Sequence, residues 1–208
     1  MIILTRDLKE GQRLKNSLVN FDYKFNNIEC LTKDDIYASP GKAVAVDFIY
    51  STWYMPVFSE DEIKKYFPSL KAIFYAAGTV KYFAEPFLKN GIKVYSAANA
   101  NGITVAEFVV AQIILANKGF FQAQKEYKKP FWRHSFKKAR SFSEVKSGNF
   151  NAKIGIVGCG SVGRQVVRIL KSYEYDLYIF DPYLSDEFIS DLGAKRASFE
   201  EIISTCDV

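Results

Sequence analysis

Histidine is almost missing from this sequence. His134 is the single one in 208 residues, and cysteine is limited to Cys30, Cys159 and Cys206. No pair of these has metal-ligand spacing, and an odd, sparse set of thiols does not make a disulfide scaffold. A zinc site and a stapled secreted fold are therefore set aside, and a reducing compartment, the cytoplasm, is expected. One histidine also leaves little room for catalysis by imidazole within the chain. His134 lies in Phe131-Trp132-Arg133-His134, a setting that suits an exposed or interface residue.

Long apolar runs are scarce as well. The longest, Phe108 to Ala116, is interrupted by Gln112. A bilayer span needs ~20 residues, so no spanning segment is expected. Met1-Ile2-Ile3-Leu4-Thr5-Arg6 carries no charged leader and no long apolar stretch, so no signal peptide is read there. Disorder is not expected either, because 49% of residues are hydrophobic and 16% aromatic.

The net charge of +5 is gathered in one place. Residues 118–140 hold eight basic side chains against one acid, Glu126. Phe120, Phe121, Tyr127, Phe131, Trp132 and Phe136 interleave with them. A nucleic-acid or anionic-membrane surface would use such a mixture. A subunit interface with aromatics at its centre and lysines at its rim is the favoured reading.

Along the chain, apolar strands alternate with helical patterns, which indicates a parallel α/β sheet. Strands are expected at Ile2–Leu4, Tyr23–Leu31, Ala43–Tyr50, Lys71–Ala76 and Ile92–Tyr95. Helices are expected from Asp7, after the capping box at Ser59, and over Val80 to Lys89. A second capping box, Thr104-Val105-Ala106-Glu107, is read as opening a long helix toward Tyr127 that Pro130 stops. Residues 130–150 are read as irregular.

Ala152–Val157 is an apolar strand that runs into Gly158-Cys159-Gly160-Ser161-Val162-Gly163 and then a helix. This is the context a dinucleotide loop requires. Gly158 lets the chain turn, and Gly160 leaves room for a pyrophosphate against the backbone. Gly163 permits close packing of the helix, whose start offers N–H groups to phosphates. The next strand, Leu177–Phe180, ends in Asp181. A carboxylate there accepts bonds from ribose hydroxyls and repels a 2′-phosphate, so the expected cofactor is NAD rather than NADP. Cys159 is read as a packing residue.

These motifs, with Phe180-Asp181-Pro182-Tyr183, the segment Leu70 to Val80, Gly91-Ile92-Lys93-Val94 and Val105-Ala106-Glu107, resemble the D-isomer-specific 2-hydroxyacid dehydrogenases. That family includes phosphoglycerate dehydrogenase-like and glyoxylate reductase-like enzymes. The resemblance implies an α/β protein with a flavodoxin-like substrate domain followed by an incomplete Rossmann-type NAD-binding domain. Residues 1–98 would be the first part of the former and 99–208 the first part of the latter. It implies that backbone N–H groups of Ala77, Gly78 and Thr79 hold a substrate carboxylate, as amides of a glycine turn can. Thr104 would lie near the cofactor, with Gly158, Gly160, Ser161, Val162, Gly163 and Asp181 as cofactor-binding residues. The partner would be a small 2-hydroxy or 2-keto acid, in a homodimer, with no nucleic acid or membrane.

The family's catalytic arginine, glutamate and histidine would fall after Asp207-Val208, which match the opening of the nucleotide domain's fourth strand. Roughly a hundred residues of a complete doubly wound domain would follow. The resemblance thus implies a truncated oxidoreductase with no catalytic residue in this chain. A non-catalytic NAD-sensing module of the corepressor type is the alternative.

Overall fold

The structure is a computed structural model that describes residues 1–18, 28–133, 135–144 and 148–208. It divides into two compact units, Met1–Asn101 and Gly102–Val208.

The first unit holds five parallel strands, β1 (Ile2–Leu4), β2 (Glu29–Leu31), β3 (Phe48–Ser51), β4 (Ala72–Tyr75) and β5 (Lys93–Ser96). Their order is β2-β1-β3-β4-β5, the flavodoxin-like arrangement. Its helices are α1 (Leu8–Leu18), α2 (Lys33–Ala38), α3 (Gly41–Val44), α4 (Glu60–Tyr66) and α5 (Ala84–Lys89). One sheet face rests on a core built around Ile49, Phe58, Phe67, Ile73, Phe83 and Phe87, all at most 2% exposed. On the other face Leu14 and Leu18 of α1 pack with Ile3 and Ile28. Beyond α1 that face carries an open ladder. Phe48, Phe74 and Tyr95 are 39%, 40% and 50% exposed, with ring centroids 6.0 and 5.4 Å apart in succession.

Several local readings change here. Ala43–Tyr50 is not one strand. Ala43 and Val44 close the short α3, and the strand begins only at Phe48. Pro40 is the N-cap of α3. The helix α2 rests on a capping box in which the Thr32 hydroxyl accepts from the Asp35 N–H, and the Asp35 carboxylate accepts from the Thr32 N–H. The strand expected over 23–31 is seen at Glu29–Leu31, and its residues 23–27 lie outside the described residues. The capping box at Ser59 and Glu62 is as expected.

A long helix, α6 (Ala98–Asn117), spans the boundary between the units. Thr104 therefore sits inside a helix and is not its N-cap, and Glu107 is not a capping-box partner. At 20 residues, with an 18-residue window of mean hydropathy 1.4, α6 is long and apolar enough to cross a membrane by those measures. Counting uninterrupted apolar residues does not capture this, because Thr104, Glu107 and Gln112 interrupt a helix that is apolar on average. Its inward positions Ala106, Val110 and Ile113 belong to the second unit's core.

That unit continues with α7 (Phe120–Tyr127), entered at Gly119 in the left-handed conformation (φ 63°), and α8 (Phe136–Ser141). Residues 130–150 are thus not wholly irregular, and His134 lies outside the described residues. Then come β6 (Lys153–Val157), α9 (Ser161–Leu170), β7 (Asp176–Phe180), α10 (Asp186–Asp191), β8 (Lys195–Arg196) and α11 (Phe199–Thr205). The sheet is parallel in the order β6-β7-β8. Ala152 and Gly158 bond to β7 and its ends, whereas Lys153 and Gly155 bond to Asp207 and Val208. Alternate residues of a strand face opposite edges, so Asp207 and Val208 line the edge of β6 away from β7. The resulting order matches one half of a doubly wound nucleotide domain.

Candidate functional site

The glycine loop joins β6 to α9. Gly158 adopts φ 85°, a conformation that disfavours any side chain. A Cβ at Gly163 would lie 2.4 Å from the Gly158 carbonyl oxygen and 3.6 Å from Ile156 Cγ2. The third glycine is thus required by the loop's own backbone, more directly than by the helix–sheet distance. A Cβ at Gly160 would meet nothing within 4 Å, which leaves open space above the helix start. The helical ladder begins with the Arg164 N–H donating to the Gly160 carbonyl at 3.0 Å. The N–H groups of Ser161, Val162 and Gly163 precede it, as a phosphate cradle needs. Gly102 of α6 lies beside this start. A Cβ there would be 3.5 Å from the Ser161 carbonyl. Thr104, two residues on in α6, is exposed.

Asp181 is 8% exposed at the end of β7. Its Oδ2 accepts from the Cys159 N–H at 2.8 Å and its Oδ1 from the Tyr183 N–H at 2.9 Å. These two bonds, the Cys159 one first, hold its carboxyl below the usual range, and the Arg164 guanidinium adds to the effect. Each oxygen keeps a further lone pair, so the group can grip the loop and still accept from a ribose. Around it, Arg164 Nε donates to the Cys159 carbonyl at 3.1 Å, and its guanidinium carbon lies 4.7 Å from the Phe188 ring centroid. Cys159 is fully buried, and burial pushes its thiol up, which suits packing and not redox chemistry.

Arg196 was not anticipated from sequence. Its Nη1 donates to the Asp181 carbonyl at 3.1 Å, and it also contacts the Leu184 carbonyl and the Asp186 carboxylate. It pins the turn that carries Asp181, and no local motif marks it.

In the first unit, Ala77, Gly78 and Thr79 follow β4. The Ser96 hydroxyl bonds to the Ala77 and Gly78 carbonyls at 3.0 and 2.5 Å. Among the described residues the Gly78 and Thr79 N–H groups meet no acceptor, so the loop retains donors for an anion. Asn101 also adjoins this loop. A Cβ at Gly78 would lie 3.4 Å from its side-chain nitrogen. Ser96 and Asn101 were missed because each lies far along the chain from Gly78.

A parallel sheet, a glycine loop of this shape and an acid at the next strand's end define an NAD-binding domain of Rossmann type. Comparison with known proteins agrees. Residues 110–208 match the family described as D-isomer specific 2-hydroxyacid dehydrogenase, NAD binding domain. Residues 110–208 are thus similar to that family's NAD-binding domain. The chain is 28% identical over 120 residues to D-3-phosphoglycerate dehydrogenase of Bacillus subtilis, covering 58% of this chain and 22% of that protein. It is 32% identical over 118 residues to the Haemophilus influenzae enzyme of the same name, covering 57% and 27%. A solved D-isomer specific 2-hydroxyacid dehydrogenase from Lactobacillus delbrueckii ssp. bulgaricus, in its NAD complex, has the same fold. Its TM-score is 0.69 at 16% identity, over 99% of this chain and 60% of that one. The chain thus spans less than two thirds of each of these relatives.

Proposed function

We propose that the complete protein is an NAD-dependent oxidoreductase acting on a small 2-hydroxy or 2-keto acid. The observation that carries this is the pairing of open space at Gly160 with an acid at Asp181 tied to the same loop. The N–H groups of Ser161, Val162 and Gly163 would hold the pyrophosphate, Asp181 the ribose, and Thr104 would adjoin the cofactor. NAD supplies hydride acceptance and, reduced, hydride donation. The donors of Ala77, Gly78 and Thr79 would orient the substrate carboxylate. No catalytic acid or base is assigned to this chain, so the 208 residues alone should bind without turnover. General acid–base help is commonly worth ~10²–10⁴ in rate.

A homodimer is proposed through the exposed Phe131 and Trp132, 84% and 81% accessible, and a cytoplasmic setting fits the reduced thiols. No nucleic-acid or membrane partner is proposed. Calorimetry of this chain with NAD tests the cofactor assignment, and absence of heat would refute it. Assay of the full-length gene product with NADH and pyruvate, glyoxylate or hydroxypyruvate tests the reaction. Lack of turnover with NAD still bound would favour a sensing module.

A further inference from the structure

The turn between β7 and α10 begins with Asp181 and is held by one side chain from the outer strand of the sheet. Arg196 stands in the short β8, opposite Ile179 of β7. Its Nη1 donates to the Asp181 carbonyl at 3.1 Å, its Nη2 to the Leu184 carbonyl and its Nε to the Asp186 carboxylate. One planar guanidinium thus joins the first residue of the turn, its middle and the first residue of α10. An ammonium is a point charge and offers no rigid fork to three acceptors. Two further residues stiffen the same stretch. Pro182 fixes its own φ, and the Ser185 hydroxyl accepts from the Phe188 N–H at 3.2 Å.

The charges around Asp181 are divided in a particular way. Asp186 is the acid that answers Arg196. Arg164 donates to the Cys159 carbonyl and lies over the Phe188 ring. Among the described residues neither arginine forms an ion pair with the Asp181 carboxylate, which meets the Cys159 and Tyr183 N–H groups instead. Arg196 therefore acts on the main chain of Asp181 and leaves its carboxylate without a direct cationic partner. An acid that attracts a ribose hydroxyl and repels a 2′-phosphate needs both conditions, a fixed position and a charge that no ion pair cancels. Lys195, the neighbouring cation in β8, pairs with Asp176 at 2.9 Å.

We propose that Arg196 is a positioning residue for cofactor selection. Acting through Asp181, it holds the carboxylate where it accepts from the 2′-hydroxyl of the adenosine ribose. The proposal rests on the reading of Asp181 as the ribose acid.

The full chain is titrated by calorimetry with NAD, with the NAD analogue lacking the adenosine 2′-hydroxyl, and with NADP. Wild type should prefer NAD to the deoxy analogue by about tenfold, the scale of one hydrogen bond to a charged group. R196M should bring that preference close to unity by weakening NAD, with the deoxy analogue little changed. R196K should keep part of the preference. K195M removes an equal charge one residue away and should keep all of it. In a D181N background R196M should not move the preference further, because residues that act through one group are not additive.

A residue that only stabilised the fold would weaken NAD and its analogue alike, so an unchanged preference in R196M would overturn the proposal. An equal drop in K195M would overturn it too, by assigning the effect to the charge of the strand. A loss of NADP binding greater than that of NAD in R196M would make Arg196 a phosphate ligand and overturn it as well. Should R196M fail to fold, R196K decides by the same ratio, and a preference equal to that of wild type would refute the role. Equal binding of NAD and the deoxy analogue by wild type would instead overturn the reading of Asp181 itself.

Discussion

Asp181 Oδ2 and the Cys159 N–H are joined by a hydrogen bond of 2.8 Å. The acid at the end of one strand is thereby fastened to the glycine loop at the end of its neighbour. Cofactor discrimination and loop shape consequently depend on the same carboxylate.

Wild-type chain should bind NAD more tightly than NADP, because a 2′-phosphate would meet the Asp181 charge. D181A should narrow the gap by about tenfold and weaken NAD itself, since the Cys159 and Tyr183 amides lose their acceptor. Calorimetry with both cofactors decides this. Equal wild-type affinities would contradict the assignment.

The second and third loop glycines should respond in opposite ways. G163A places a methyl 2.4 Å from a backbone carbonyl, and backbone cannot step aside cheaply. A loss of about 1–3 kcal/mol of stability is expected, the scale of overpacking. G160A meets nothing within 4 Å and should melt like wild type, yet bind NAD poorly. Thermal melts and NAD titrations of the two variants separate these effects.

Stability should also depend on Asp181 at acid pH. Its carboxyl in the fold lies below the ordinary value of 3.8 because two backbone N–H groups bond to it. A lowered folded pKa stabilises the protein fully above the unfolded value, and the benefit fades as pH falls through the folded one. Wild type should therefore lose stability relative to D181N as pH drops below about 4. Parallel wild-type and D181N curves across that range would show that the two bonds leave the acid's titration unmoved.

If Phe131 and Trp132 sit in a dimer interface, replacing both with Ala should give monomers or aggregates, since aromatics dominate interface cores. K137A with K138A should change little. Sedimentation of the full-length protein tests this. An unchanged dimer would reopen a nucleic-acid or membrane role for residues 118–140.

The order of elements was legible in the sequence because apolar strands and capped helices alternate plainly. The nucleotide loop was legible because its glycines, flanking strand and acid lie close in sequence. Thr104 misled because a capping-box spelling occurs inside α6, where side chains i and i+3 share a face whether or not a helix starts there. Ala43–Tyr50 misled because a buried helical turn and a buried strand are alike in apolar content. Ser96, Asn101 and Arg196 stayed hidden for a different reason. Each acts on a carbonyl or loop far along the chain, and only the folded sheet brings them together.

The open ladder of Phe48, Phe74 and Tyr95 gives the first unit a wettability unlike that of an ordinary parallel sheet, whose two faces are normally covered. In practice the purified chain should bind hydrophobic-interaction resins in moderate salt and light up solvatochromic dyes while fully native. Such signals are usually taken as marks of misfolding. Here they would report three neighbouring exposed rings on an intact sheet.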